Sequence, residues 1–206
     1  MNKYWRAFLL TAVIISVSLT GCMGKVKYPT YYTLNLAPPI DPPPKSGALA
    51  SIAVREFQSP AYLREGPVVY LISPEEIGFY EYHRWAVDPR QAITNAIIER
   101  LRASGNFALV KTYDGHNDVD YVLTGRLDKL DEVDYEGGVK VEVALSAQVT
   151  DLHNGKTVWT NSASSAAKVE QRKVPSVVKQ MSSTTDRSIE ELLKSLALPP
   201  TGTARP

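Results

Sequence analysis

One stretch constrains the fold more than any other. From Val139 to Thr150 the chain alternates without a break: Val139, Val141, Val143, Leu145, Ala147 and Val149 share one face, and Lys140, Glu142, Ser146, Gln148 and Thr150 share the other. Period-two alternation of this kind is that of an antiparallel strand with one face buried and one face wet. Gly137-Gly138 precedes it and Tyr121 to Val133 precedes that, so the two arms read as a long hairpin. Asn154-Gly155 then marks a tight turn into a further strand, Thr157 to about Val169. A single strand at the edge of such a hairpin would leave its apolar face bare, so something must cover it.

The cover is legible as two helices. Asp88 is a good N-cap, Pro89 suits the first helical position, and Gln91 falls where a capping box wants it. Ala92, Ile93, Ala96, Ile97 and Leu101 recur at helical spacing until Gly105. A second helix runs from about Pro175 to Leu198 on Val177, Val178, Met181, Ile189, Leu192, Leu193 and Leu196, stopped by Pro199-Pro200. Shorter strands are expected at Tyr31–Leu36, Ser51–Phe57, Pro67–Ile72, Ile77–Trp85 and Phe107–Lys111, the third and fourth as a hairpin. The expectation is one α+β domain over residues 31–198, with a mixed, mostly antiparallel sheet and both helices on one face. Five prolines between Ala37 and Gly47 read as a polyproline II spacer, and residues 199–206 as a disordered tail.

The N-terminus is addressed to a membrane. Lys3 and Arg6 precede an apolar run, and Ala7 to Leu19 is 13 residues, short of the ~20 that a spanning helix needs. Residues 1–21 therefore read as a signal peptide. The formal charge of +1 becomes −1 when residues 1–21 leave with Lys3 and Arg6, which excludes a general nucleic-acid binder. A single Cys, Cys22, excludes an intramolecular disulfide and a Cys-based structural zinc site.

Catalytic patterns are missing from the sequence. His83, His116 and His153 have no partner at metal-ligand spacing, and there is no nucleophile elbow, zincin motif or phosphate loop. Asp114-Gly115-His116-Asn117-Asp118-Val119-Asp120 could interest a cation but reads as turn chemistry. Asp128, Asp131, Glu132, Asp134 and Glu136 read as a solvated acidic edge near a hairpin tip. The expectation is no catalytic residue, no metal and no cofactor beyond a covalent lipid.

Phe79-Tyr80-Glu81-Tyr82-His83-Arg84-Trp85 is different. Extended, it places Tyr80, Tyr82 and Arg84 on one face and Phe79, Glu81, His83 and Trp85 on the other, more aromatic surface than a one-sided core requires. Tyr, Trp and Arg are the residues enriched at binding hot spots, so Tyr80, Tyr82, Arg84 and Trp85 are the candidate partner-binding residues.

Two resemblances sharpen this. Leu19-Thr20-Gly21-Cys22 resembles the bacterial lipobox, which implies lipidation of Cys22, including an acyl chain such as palmitate, and a tether over residues 22–30. Met23 after the cysteine, rather than Asp, by resemblance favours outer-membrane sorting with the domain on the periplasmic face. Tyr31-Tyr32-Thr33-Leu34, Ile52-Ala53-Val54, Pro60-Ala61-Tyr62-Leu63 and Tyr80-Glu81-Tyr82-His83-Arg84-Trp85-Ala86 are similar to the ABC-type transport auxiliary lipoprotein family. That resemblance implies an accessory subunit of an MCE (mammalian cell entry) lipid-transport system, docking an MCE tunnel protein at the outer membrane without catalysing a reaction. A symmetric homo-oligomer around the tunnel axis is a further implication. Two other readings stay open at this point: a stand-alone periplasmic lipid-binding lipoprotein, which needs an apolar cavity of several hundred Å3, and an envelope enzyme.

Overall fold

The computed structural model of the chain describes residues 27–39, 49–116, 118–135 and 137–198. Residues 1–21, read above as a signal peptide, Cys22, most of the proline-rich stretch and residues 199–206, read as a tail, lie outside the described residues.

The alternating arm forms as expected. β6 (Tyr121–Val133) and β7 (Lys140–Asp151) pair antiparallel along their whole length, and β8 (Thr157–Lys168) adds to the other side of β7. Val141, Val143, Leu145, Ala147 and Val149 are all buried. Gly137 sits at φ 75°, a left-handed conformation that glycine adopts without strain.

The remaining strands divide the second edge of β6 between them. Its N-terminal end pairs parallel with β2 (Ser51–Val54), and β2 pairs parallel with β5 (Leu109–Thr112). Its C-terminal end pairs parallel with β3 (Pro67–Leu71), through Tyr70↔Glu132 and Leu71↔Val133. β3 forms the expected hairpin with β4 (Ile77–Trp85), and β1 (Thr30–Tyr32) lies parallel on β4. The 8-stranded sheet is thus forked: one wing is β2–β5, the other β3–β4–β1.

Both helices lie on one face. In α1 (Pro89–Ala103) the Asp88 carboxylate accepts from the Arg90 amide at 2.9 Å and Pro89 opens the first turn. α2 (Val174–Leu193) packs across β7 and β8, reaches β6 and touches α1, while α1 packs on β5. Ile93, Ile97, Leu101, Val177, Met181, Ile189 and Leu192 join the sheet's inner face in one core. Among the described residues neither α-helix makes a comparable contact with β1, β3 or β4; the short 3-10 turn Ala61–Arg64 packs on β3 instead. The fold is α+β, with a mixed, mostly antiparallel sheet.

Several boundaries differ from expectation, each for a local reason. β1 ends at Tyr32 rather than Leu36, because the chain then turns onto α2: the Asn35 amide bonds Ser182 Oγ at 3.1 Å and the Ala37 amide bonds Asp186. β2 ends at Val54, and the Phe57 amide instead donates to Thr94 Oγ1 at 3.0 Å. A 3-10 turn at Ala61–Arg64, which carries no strong periodicity, follows. The Phe57 ring lies against Gly125 of β6, so close that a Cβ there would fall 2.2 Å from it.

Candidate functional site

The aromatic block lies on β4, in the wing that neither helix covers. Gly78 begins its local architecture. With no side chain, Gly78 lets the Tyr70 ring of β3 lie over its backbone, where a Cβ would come within 2.3 Å. The β3–β4 ladder then breaks register: Pro67 pairs with Arg84 and Val69 with Phe79, so two steps on β3 match five on β4. This irregularity overrides strict alternation. Tyr80 and His83, three apart and expected on opposite faces, come ring to ring at 5.8 Å.

A band of rings results. Tyr70 and Tyr80 stand 4.7 Å apart between centroids, and His83 meets Tyr32 of β1 at 5.7 Å, with the Tyr32 hydroxyl 3.0 Å from His83 Nδ1. The band is half-buried, and its inner end is the Glu132 carboxylate of β6, which accepts from the Tyr80 hydroxyl at 2.9 Å. Burial, then the neighbouring Glu132 charge and hydrogen bond, push the Tyr80 phenol well above its ordinary range, so it remains a donor. Sequence reading did not place Tyr32, Tyr70, His83 or Glu132 among the candidate contact residues. A glycine inside an otherwise good strand was the available signal.

The four sequence candidates fare differently. Tyr80 is central to the band. Tyr82 lies under the Lys27 ammonium, 4.4 Å from its ring centroid, a cation–π contact. Arg84 donates to the Glu65 carbonyl at 3.0 Å and lies against Gly66, whose φ of 95° brings the backbone close. Trp85 is 9% exposed and packs in the core.

Other clusters are structural. The acidic run is not a solvated edge throughout: Asp131 is 2% and Glu132 1% exposed. An irregularity after Leu127 resets the register of β6, and two tyrosines seal the pair, Tyr62 reaching Asp131 at 3.3 Å. Burial pushes the Asp131 carboxyl up to about 6, against the pull of Tyr62 and Lys129. Asp134 pairs with Arg172, and Glu136 lies outside the described residues. Near Gly115, Lys111 fills the place a cation would take, 2.7 Å from Asp118 and 3.1 Å from Asp114. Ser51, Asp120 and His153 meet, but with the carboxylate in the middle: the Ser51 hydroxyl donates to Asp120 at 2.6 Å, and His153 Nε2 lies 3.0 Å from the same group. A hydrolase needs the imidazole between hydroxyl and carboxylate, so this arrangement generates no nucleophile. An open groove of about 460 Å3 lies between the helix C-termini, with Leu101, Phe107, Leu193 and Leu196 below and Glu190, Glu191 and Lys194 at its rim.

The fold is a forked α+β sheet with a ring band on the wing that neither α-helix covers. The chain belongs to the ABC-type transport auxiliary lipoprotein component family, whose pattern matches residues 32–192. The family's members are lipoproteins auxiliary to ABC-type transport, as its description states. The crystal structure of protein XCC0632 from Xanthomonas campestris superposes with a TM-score of 0.67 at 14% identity, covering 80% of this chain and 92% of that one. An uncharacterised protein gives 0.63 at 15% identity, covering 82% and 99%. Hypothetical protein CT253 from Chlamydia trachomatis gives 0.50 at 10%, covering 71% and 95%. At these identities the likeness is one of fold. A search of curated proteins found no match.

Proposed function

We propose that this chain is lipidated at Cys22, sits on the periplasmic face of the outer membrane, and docks an MCE tunnel protein as a non-catalytic subunit of an intermembrane lipid-transport system. The ring band carries the reading. Tyr70, Tyr80, His83 and Tyr32 form a continuous half-buried aromatic surface on the wing that neither α-helix covers. Contact surfaces of this kind bury rings against a partner at modest conformational cost, since the rings are already ordered by their neighbours. Tyr82 and Arg84 stand at its rim, next to the point where the chain leaves for its anchor. Family membership and the lipobox support the placement in a membrane-bound transport system.

The test is crosslinking in intact cells, purification of the full-length lipoprotein and mass spectrometry of what accompanies it. We expect an MCE protein, and we expect Tyr82→Ala with Arg84→Ala to lower its capture at unchanged circular dichroism and melting temperature. A folded double variant that captures the partner at wild-type strength would overturn the assignment of this face. The helix-end groove keeps a lipid-carrying reading testable: stoichiometric lipid on the purified protein by native mass spectrometry would move attention there.

A further inference from the structure

The wing that carries the ring band is also the part of the domain closest along the chain to the lipid. Lys27 is already seated on the Tyr82 ring, and β1 begins at Thr30, paired with His83. From Cys22 to Lys27 is five residues, which reach at most about 18 Å fully extended. Within the segment 22–30 read from sequence as a tether, Lys27 and Thr30 already meet β4. If Cys22 is held in the membrane, the β1 edge cannot stand further from the headgroups than that short leash. The opposite edge, β8, lies five strand spacings away across β4, β3, β6 and β7, about 24 Å along the sheet.

The chemistry of the near edge suits a bilayer surface. Tyr28 is 79% and Tyr31 60% exposed, the most exposed large apolar side chains among the described residues. Tyrosine combines a ring that tolerates the acyl boundary with a hydroxyl that stays hydrated, which is why it gathers at membrane–water interfaces. Register places Tyr31 beside Arg84, and Lys27 lies next along the chain. These cations complement anionic headgroups, with Glu81 the exposed acid on the same stretch. No helix among the described residues is long and apolar enough to cross a membrane.

We propose that Lys27, Tyr28 and Tyr31 form a second membrane contact, resting the β1 edge on the headgroup layer and standing the sheet up from the bilayer with β8 outermost. The inference rests on the lipidation of Cys22. Its consequence is orientation: the ring band is presented beside the membrane at a fixed height, not swung freely on a tether. An acyl anchor joined to a basic, aromatic surface is also the two-signal arrangement that makes peripheral binding stable.

The lipid thioether consumes the native thiol, so an introduced cysteine is unique. Thr30→Cys on β1 and Ser164→Cys on β8, both at exposed positions, are labelled with an environment-sensitive fluorophore in the full-length lipoprotein. Each is reconstituted, with no partner protein, in phosphatidylethanolamine–phosphatidylglycerol vesicles containing brominated lipid. We expect quenching at position 30 to exceed that at 164 several-fold, and to fall when Tyr28→Ser and Tyr31→Ser are added. Equal quenching at both positions, no quenching at 30, or indifference to the serine substitutions overturns the proposal. The mass of the N-terminal peptide reports the anchor separately: an unmodified Cys22 removes the anchor and this proposal together, whereas a lipidated Cys22 with an unquenched label removes only this one.

Discussion

Replacing Asp131 by asparagine should make the domain more stable at neutral pH and flatten its response to pH. Asp131 faces the Tyr62 hydroxyl, the Lys129 ammonium and the Glu142 carboxylate, and is 2% exposed. Burial is the dominant influence and raises its carboxyl to about 6, against roughly 3.9 in an unfolded chain. The folded protein therefore holds this proton more tightly. As pH rises from about 4 to about 6, the unfolded chain has already released a proton that the native state keeps, so stability falls across that window and levels off above it. A shift of about two units corresponds to at most about 3 kcal/mol. The amide in Asp131→Asn carries no charge to desolvate, and its carbonyl can still accept from Tyr62. We expect a gain of about 1–3 kcal/mol at pH 7.5 and little difference near pH 4. Urea unfolding at intervals from pH 4 to 8 reads both. Burial raises Glu132 as well, so both proteins keep a residual slope, and the difference between them isolates Asp131. Parallel pH profiles, or an asparagine variant less stable at pH 7.5, would refute the reasoning.

Gly125→Ala drives a Cβ to 2.2 Å from a ring atom of the fully buried Phe57. The overpacking should cost about 1–3 kcal/mol, read as a fall in melting temperature of roughly 2–4 °C per kcal/mol. Phe57→Leu should cost less in that background than alone; additive losses would show that the two do not share space. Tyr80→Phe keeps the ring but takes from Glu132 its 2.9 Å donor, so it should lose about 1–3 kcal/mol. Burial pushes the Glu132 carboxyl up, so that loss should grow as rising pH ionises it, and a pH-independent loss in urea melts would contradict this. Asp88→Ala removes the cap on the Arg90 amide and should cost about 1 kcal/mol by the same assay; an unchanged midpoint would mean that water caps α1 equally well.

The large elements were legible because each depends on local pattern. Alternation set β7, cap chemistry set the start of α1, and the turn glycines set the hairpins, so the α+β class and the helices' shared face followed. What escaped sequence reading depends on partners far along the chain. Asp131 and Glu132 look like surface acids until Tyr62 and Tyr80 are known to lie over them, some 50 to 70 residues away in sequence. Residue type put Trp85 among the candidate contacts, and period two set His83 opposite Tyr80. The register break between β3 and β4 undid the second, and core packing claimed the first. Such breaks are set by how two strands meet, which neither strand encodes alone.

The fork of the sheet has an energetic consequence that can be measured. β6 and β7 are tied along twelve registered pairs, from Tyr121↔Asp151 to Val133↔Lys140. The β3–β4–β1 wing is tied to β6 by two, Tyr70↔Glu132 and Leu71↔Val133, with the Asp134 amide bonding the Leu71 carbonyl beyond them. The wing is further seated by the burial of Val68, Val69 and Trp85, by the phenol–carboxylate bond of Tyr80 to Glu132, and by the bonds from Asn35 and Ala37, just past β1, to Ser182 and Asp186 of α2. Opening it would expose that apolar surface and a carboxylate, yet would leave the helix-covered ladders intact. The wing should therefore open at lower free energy than the whole domain. In native-state hydrogen exchange, amides of β4 should exchange through a sub-global opening, well before those of β6 and β7. Tyr80→Phe should speed exchange in the wing without changing it in β7. Amides of β4 that exchange only with global unfolding, in step with β7, would show instead that the ring band and core contacts bind the wing as firmly as the ladders do, and that the contact face is as rigid as the core behind it.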